Sequence, residues 1–314
     1  MEFEYRLILA PMQGLTEVLF RRVYERVFPH ALDVAISPFL SLTHGNLSDA
    51  LKKIDDVLPA VNDGSMPVIP QILGKEPEEF VALGNRLYEF GYTEVNWNIG
   101  CPMRKVAGKH RGSGILPYPD EVRYVLDRVV GKMKPQLSVK MRLGYRSPDE
   151  IFELIPILNS YPLKNVTIHP RIGKQMYSGT PDMEKFEKAL GAFRHEVIYN
   201  GDINTAERFH SLTLRYPEVH QYMLGRGVLY DPLLPLKIKG MPYSEQSVNV
   251  FIGELCRDIL KLPVTDEAKV RKIKEYWCLL FKALHITEQQ RDTVLHAAHL
   301  QEVLNALGNV CPTI

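Results

Sequence analysis

Cysteine is scarce in this sequence, and so is any excess of charge. Its four cysteines, Cys101, Cys256, Cys278 and Cys311, include no CxxC pair, which argues against a disulfide-stapled scaffold or a thiolate metal knuckle and fits a reducing compartment. The formal net charge is only +1, so the global basic excess that marks many nucleic-acid binders is missing. No apolar run approaches the roughly 20 residues of a membrane span. The amino terminus, MEFEYRLILAPM, opens with acidic residues where a secretory signal would be basic. A cytoplasmic protein with no membrane and no metal is therefore expected, with a monomer as the simplest state. A complete GxGxxG turn is also absent, since the nearest stretch, GSGILP, lacks the third glycine, and this disfavours an open doubly wound dinucleotide fold.

What is present is a globular composition, 45% hydrophobic and 24% charged, which excludes extensive disorder. Eight short β-rich segments recur, at 7–10, 33–37, 68–73, 94–98, 137–141, 165–169, 196–200 and 221–224. Each interval has room for a crossover helix. Examples are KEPEEFVALGNRLYEFG, PDEVRYVLDRVVGKM and SPDEIFELIPILNSYP, the last with Ser147 as the expected N-cap. The alternation predicts a (β/α)8 TIM barrel over residues 1–240. Beyond it, apolar residues at helical spacing over 248–259, 270–284 and 294–307 predict three helices, a small all-α domain at 241–314. Cys256 and Cys278 fall among those apolar positions and are expected to be buried, inert thiols.

In such a barrel the active site gathers at the carboxyl ends of the strands. There the chain places Pro11 and Met12, Gln71, Asn98 and Cys101, Lys140 and Arg142, His169 and Arg171, Asn200-Gly201-Asp202, and Gly225-Arg226-Gly227. Several have bland readings: Asn200-Gly201 is a common turn pair, and a lone histidine is more often structural than catalytic. Lys140, in LSVKMRLG, is harder to dismiss, because a lysine aimed into a barrel mouth needs an anionic partner. Between Cys101 and Arg146, eleven basic residues face three acidic ones. A flavin mononucleotide would use these groups. Its phosphate suits the loops after the seventh and eighth strands, its pyrimidine edge suits Gln71, and Lys140 would offset the charge of its reduced ring. Cys101 would act as the proton donor, since a free thiol of pKa about 8.5 is mostly protonated at neutral pH.

The ordered motifs APMQGLTEVLFR, PQILG, NIGCP, VKMRLG, IHPRIGKQMYSG, NGDI and GRG resemble those of the tRNA-dihydrouridine synthase family over nearly the whole chain. The resemblance implies an FMN-containing barrel followed by a helical tRNA-binding domain, with NADPH as reductant. Pro11, Met12 and Gly14 would contact the isoalloxazine through backbone, with Gln71, Lys140 and His169 at its polar edges. Asn200, Gly201, Asp202, Gly225 and Arg226 would hold the ribityl-phosphate. Asn98 would bind the target uracil, Cys101 would protonate its C5, and hydride from reduced FMN would reach C6. Arg104, Lys105, Arg142 and Arg171 are the basic residues expected on the substrate side. The chain departs from the family pattern at Lys109-His110-Arg111, Pro117 and Pro170. The tail supplies one basic cluster, Lys269, Arg271, Lys272 and Lys274, which a solvated helix face would also explain.

Two rivals follow from the same residues: a small-molecule FMN oxidoreductase of the dihydroorotate dehydrogenase type, and a redox-inactive barrel that only binds tRNA.

Overall fold

A computed structural model describes residues 4–42, 47–64, 66–284 and 286–309 of the chain; Cys311 lies outside the described residues. Among these residues ten strand segments form one sheet in which every pairing is parallel. They are β1 Arg6–Leu9, β2 Val34–Ile36, β3 Leu40–Ser41, β4 Val68–Ile69, β5 Gln71–Leu73, β6 Glu94–Ile99, β7 Gln136–Gly144, β8 Asn165–Ile172, β9 Glu196–Tyr199 and β10 Gln221–Leu224.

The order β3-β5-β6-β7-β8-β9-β10-β1-β2-β4 closes on itself. β2 and β3 are one chain path interrupted around Pro38, and β4 and β5 are one path interrupted at Pro70. Proline has no N–H for the ladder, so the strand breaks locally and resumes. The first path pairs with the second through both halves, β2 with β4 and β3 with β5. Ten segments therefore make the eight barrel strands that the sequence predicts. β7 and β8 run farther than expected, and their register shifts between Arg142 and Gly144.

The crossover helices include Val18–Val27, Pro77–Glu89, Pro119–Val129, Glu150–Leu158, Met183–Ala192 and Ala206–Arg215. The connection from β3 to β4 is slighter, a short helix Leu47–Leu51 and two 3-10 turns. Ser147 does not cap the helix Glu150–Leu158 as expected. The Glu150 carboxylate instead accepts the N–H groups of Tyr145, Arg146 and Ser147, because its longer side chain reaches back over the whole turn.

Strand alternation divides the barrel between two environments. Leu7 and Leu9 face the large outer core under the helices, whereas Ile8 and Ala10 join Val34, Ile36, Ile198 and Met223 in a small separate cluster. That cluster comes from β1, β2, β9 and β10. The facing positions of β5 to β8 are polar: Gln71, Asn96, Ser138 and Thr167 are all fully buried. The Gln71 amide donates to Asn96 at 2.7 Å and the Asn96 amide to Ser138 at 3.0 Å. Half of the interior is thus hydrocarbon and half is polar.

After the barrel come helices Gln246–Leu260, Asp266–Leu280, Glu288–His296 and Leu300–Gly308. Phe251 packs edge-on against Phe20 and Tyr24 of the first barrel helix, so the helical region shares the outer core. The third expected helix is two. The Glu302 carboxylate accepts the N–H groups of Ala298 and His299, and Lys274 holds the Ala297 carbonyl, which ends one helix and starts the next. Cys256 is buried as expected, but Cys278 is exposed. The helix Asp266–Leu280 turns Val270, Ile273, Tyr276, Trp277 and Leu280 inward, and position 278 falls off that face.

Candidate active site

The carboxyl ends of the strands open into a cavity of about 590 Å³, inside the usual range for a cofactor or small-molecule site. Twelve of the expected site residues line it: Pro11, Met12, Asn98, Cys101, Lys140, Arg142, His169, Asn200, Gly201, Asp202, Gly225 and Arg226. Gly14, Gln71, Arg171, Arg104 and Lys105 do not. Gln71 is sealed behind Asn98, its carbonyl accepting the Asn98 amide at 2.7 Å. Arg171 is likewise buried, Gly14 belongs to the loop after β1, and Arg104 and Lys105 stand exposed beside the mouth on the short helix Arg104–Ala107.

Asn98 carries the geometry of the thiol. Its Oδ1 accepts the N–H of Gly100 at 3.0 Å and of Cys101 at 2.9 Å, turning the chain sharply as β6 ends. With one amide N–H given to Gln71, one remains for a ligand. The Cys101 carbonyl is held from the other side by the N–H of Ser113 at 2.9 Å and its hydroxyl at 3.0 Å. Gly112 makes that return possible: its φ is +53°, and a Cβ there would sit 2.6 Å from the Cys101 carbonyl oxygen. Burial raises the pKa of the Cys101 thiol, while the Met103 N–H, Arg142 and Lys140 pull it down less strongly. The net direction favours the thiol over the thiolate, with Arg142 and Lys140 beside it.

Those cations are crowded. Lys140 makes no hydrogen bond or ion pair with any described residue, and burial, then Arg142, brings its pKa down to about 7. Arg142 is fixed by carbonyls, giving Nε–H to Gly100 and Nη1–H to Ile172 and Met176. Its guanidinium lies 5.3 Å from the Tyr177 ring centroid, and that of Arg226 lies 5.0 Å from the same ring. His169 is kept neutral, because burial and then Arg142 and Lys140 hold its pKa well below the usual range. Among the described residues Asp202 is the one carboxylate lining the cavity, and both of its oxygens are occupied. Arg171 binds it through two nitrogens and Arg226 through one at 3.0 Å. Burial pushes the Asp202 carboxyl up, but these guanidinium hydrogen bonds prevail and hold it below the ordinary carboxylate range. The cavity is left with positive charge unspent.

At the closing strands, Asn200 gives its amide to the Met223 carbonyl at 2.8 Å, joining β9 to β10. Gly227 must be glycine, since a Cβ would meet the Ile203 carbonyl oxygen at 2.1 Å. Of the first-turn N–H groups that follow Gly225, that of Val228 donates to the Gly225 carbonyl at 3.1 Å, while those of Arg226 and Gly227 lie ahead of any intrahelical acceptor. An anionic, polar ligand with an apolar face fits this lining: unpaired Lys140 and free amides for its charge, Met12, Met223 and Leu279 for its hydrocarbon. FMN meets that description.

Sequence reasoning missed Tyr177, Met103, Gln13, Phe39 and Leu279, all of which line the cavity. Tyr177 lay inside a quoted motif and, at 51% exposure, is the aromatic most open to solvent at this mouth. Leu279 had no signal, because its place depends on how the helical region docks.

Residues 8–276 match the sequence profile of the family described as Dihydrouridine synthase (Dus). The chain belongs to the dihydrouridine synthase family. It is 28% identical to tRNA-dihydrouridine synthase B of Pasteurella multocida over 83% of this chain and 77% of that one. It is 26% identical to tRNA-dihydrouridine(16) synthase of Neisseria meningitidis serogroup B, over 96% and 94% respectively. In fold, the chain resembles the old yellow enzyme homologue of Zymomonas mobilis, with a TM-score of 0.56 at 12% identity, over 76% of this chain and 90% of the other. Morphinone reductase gives 0.52 at 12% identity, over 78% and 88%. The expected resemblance and the barrel both hold.

Proposed function

We propose that this protein is a tRNA-dihydrouridine synthase that reduces the C5=C6 bond of uridines in tRNA, using FMN reduced by NADPH. The observation that carries the reading is geometric: the Cys101 thiol, Asn98 and Lys140, the last without an ion pair among the described residues, line one cavity at the carboxyl ends of the strands. When bound, FMN would supply the hydride. Lys140 would neutralise the pyrimidine edge, Arg226 with the amides after Gly225 would hold the phosphate, and Asn200, Gly201 and Asp202 would hold the ribityl chain. Pro11 and Met12 would form the wall beside the ring, with Gly14 shaping the loop that carries them, and neutral His169 would offer a hydrogen bond without adding charge.

On the substrate side, Asn98 presents its remaining amide N–H to a uracil carbonyl, and Cys101 Sγ holds the proton for C5. Gln71, spent on Asn96 and Asn98, sets the angle of that amide. A uridine stacked in folded tRNA cannot reach this depth, so the nucleotide must swing out. Arg104 and Lys105, which have no ion pair among the described residues, would meet the phosphates around it.

The same reading assigns residues 1–240 to catalysis and 241–314 to holding tRNA, with a single chain as the working unit. In the tail cluster, Lys269 is engaged with Asp266, Lys272 with Glu17 and Lys274 with Ala297. Arg271 is left as its one uncommitted cation among the described residues. No described helix is long and apolar enough to cross a membrane, in keeping with a cytoplasmic tRNA enzyme.

The test is turnover of NADPH on unmodified tRNA against free uracil or orotate, with dihydrouridine in the RNA as the product measured. Dihydrouridine formation on tRNA alone is expected; robust turnover of the free base would replace this reading with a small-molecule flavoenzyme.

A further inference from the structure

The loop after β1 supplies Pro11 and Met12 to the cavity wall, and it is gripped from two sides. From within, the Thr16 hydroxyl accepts the Met12 N–H at 2.8 Å and donates to the Ala10 carbonyl at 2.9 Å, while the Met12 carbonyl accepts the N–H groups of Leu15 and Thr16. Two carbonyls on the outside of the turn, those of Gly14 and Leu15, take no part in this. Gly14 sits at φ +80°, a conformation suited to glycine, which turns its peptide outward.

Both outward carbonyls are met by one helix of the carboxyl-terminal region, Asp266–Leu280. Lys272 Nζ donates to the Gly14 carbonyl and to Glu17 at 2.8 Å, and the Tyr276 hydroxyl donates to the Leu15 carbonyl at 2.7 Å. The spacing 272, 276, 279 keeps three side chains on one helix face, and the third, Leu279, lines the cavity itself. Tyr276 is buried, and its ring stacks on Phe20 with centroids 6.0 Å apart, so its hydroxyl has no freedom to wander. The contacts span 258 and 261 residues of sequence. A salt bridge to Glu17 alone would be a surface pair of little consequence. A lysine and a tyrosine each ending on a backbone carbonyl of the same turn instead fix two peptide planes.

We propose that Lys272 and Tyr276 are positioning residues for the cofactor, acting through Gly14 and Leu15 on the wall formed by Pro11 and Met12. The helical region is thereby a structural part of the cofactor site as well as a surface for RNA. This rests on the flavin reading above. Neither residue touches the cavity; each sets the shape of a loop that does.

Flavin-stripped protein titrated with FMN, followed by quenching of flavin fluorescence and by the visible circular dichroism of the bound ring, tests the assignment. Lys272→Met is expected to weaken FMN binding about tenfold, the loss of one charge-assisted hydrogen bond, and to alter the visible dichroism. Lys272→Arg, which keeps a cationic donor, should recover most of the affinity. Tyr276→Phe keeps the stacked ring and should weaken binding about threefold with folding intact by thermal unfolding. Lys261→Met, a charge change elsewhere in the helical region, should leave FMN binding as it was. Unaltered affinity and dichroism in both Lys272→Met and Tyr276→Phe would overturn the inference. Failure of the unsubstituted protein to take up FMN would instead overturn the flavin reading beneath it.

Discussion

The two halves of the barrel interior obey different rules. On β1, β2, β9 and β10, Ile8, Val34, Ile36, Ile198 and Met223 fill the space with hydrocarbon, and the reward is burial of apolar area. On β5 to β8, Gln71, Asn96, Ser138, Lys140 and Arg142 fill it with polar groups, each of which must find a partner or bear the cost of desolvation. Most do find one. Lys140 finds none among the described residues, and neither does the Thr167 hydroxyl. The polar wall carries beside the cavity a lysine without an ion pair among the described residues, whereas the apolar wall packs mostly on itself and reaches the cavity at Ala10 and Met223. The comparison teaches where to expect chemistry and where only folding.

The sharpest way to break it is at the thiol. Cys101→Ala should leave flavin content and flavin reduction by NADPH unchanged and lower dihydrouridine formation on tRNA at least about a hundredfold, the scale of a lost general acid. Single-turnover reduction of unmodified tRNA measures it, and undiminished turnover would remove Cys101 from the mechanism. On the apolar wall, Ile198→Ala should cost about 2–4 kcal/mol of stability in denaturant unfolding while the protein that remains folded keeps its flavin and its turnover. A large loss of turnover per folded molecule would mean the two halves are not separable.

A finer distinction comes from pH. The Lys140 pKa in the folded protein is brought down to about 7, so the folded state gives up a proton that the unfolded chain still holds. Stability should therefore rise with pH from about 7 upward until the unfolded lysine also deprotonates, and the penalty is complete below 7. Flavin-stripped Lys140→Met should accordingly melt higher than the unsubstituted protein at pH 6, by roughly 2 °C, with the gap closing by pH 10. It should also bind FMN more weakly. A variant that melts lower at pH 6 would show that the ammonium has a partner after all. The smallest effect belongs to the far end of the barrel, where Glu94 meets Lys164 at 2.7 Å. Glu94→Gln should change stability by about 1 kcal/mol and turnover not at all, as expected at the amino-terminal face of such a barrel.

Much of this was legible in the sequence, for physical reasons that can be named. A parallel barrel repeats strand and helix, and its reactive groups lie just where each strand stops, so NIGCP, VKMRLG and IHPR announce their own positions. The division at Pro38 and Pro70 was not legible, because a strand broken by proline still reads as one apolar run. Nor was the relation of Gln71 to Asn98, in which a residue expected at the cavity supports one that lines it; pairing across strands is set by register, which one-dimensional spacing does not carry. The tail was the least legible. Lys272 reads as a surface charge, yet its partner lies 258 residues away, and Cys278 reads as core yet points outward, since small drifts in helical phase decide which face is buried.

In the proposed reaction Cys101 can serve as the acid because burial raises its pKa more than the Met103 N–H, Arg142 and Lys140 lower it. The rate of Cys101 alkylation by iodoacetamide as a function of pH, followed on the peptide that contains it by mass spectrometry, reports this directly. Little reaction at neutral pH and a midpoint above the ordinary thiol value are expected. Fast alkylation with a midpoint below pH 7 would make the residue a thiolate nucleophile and contradict its role as the acid.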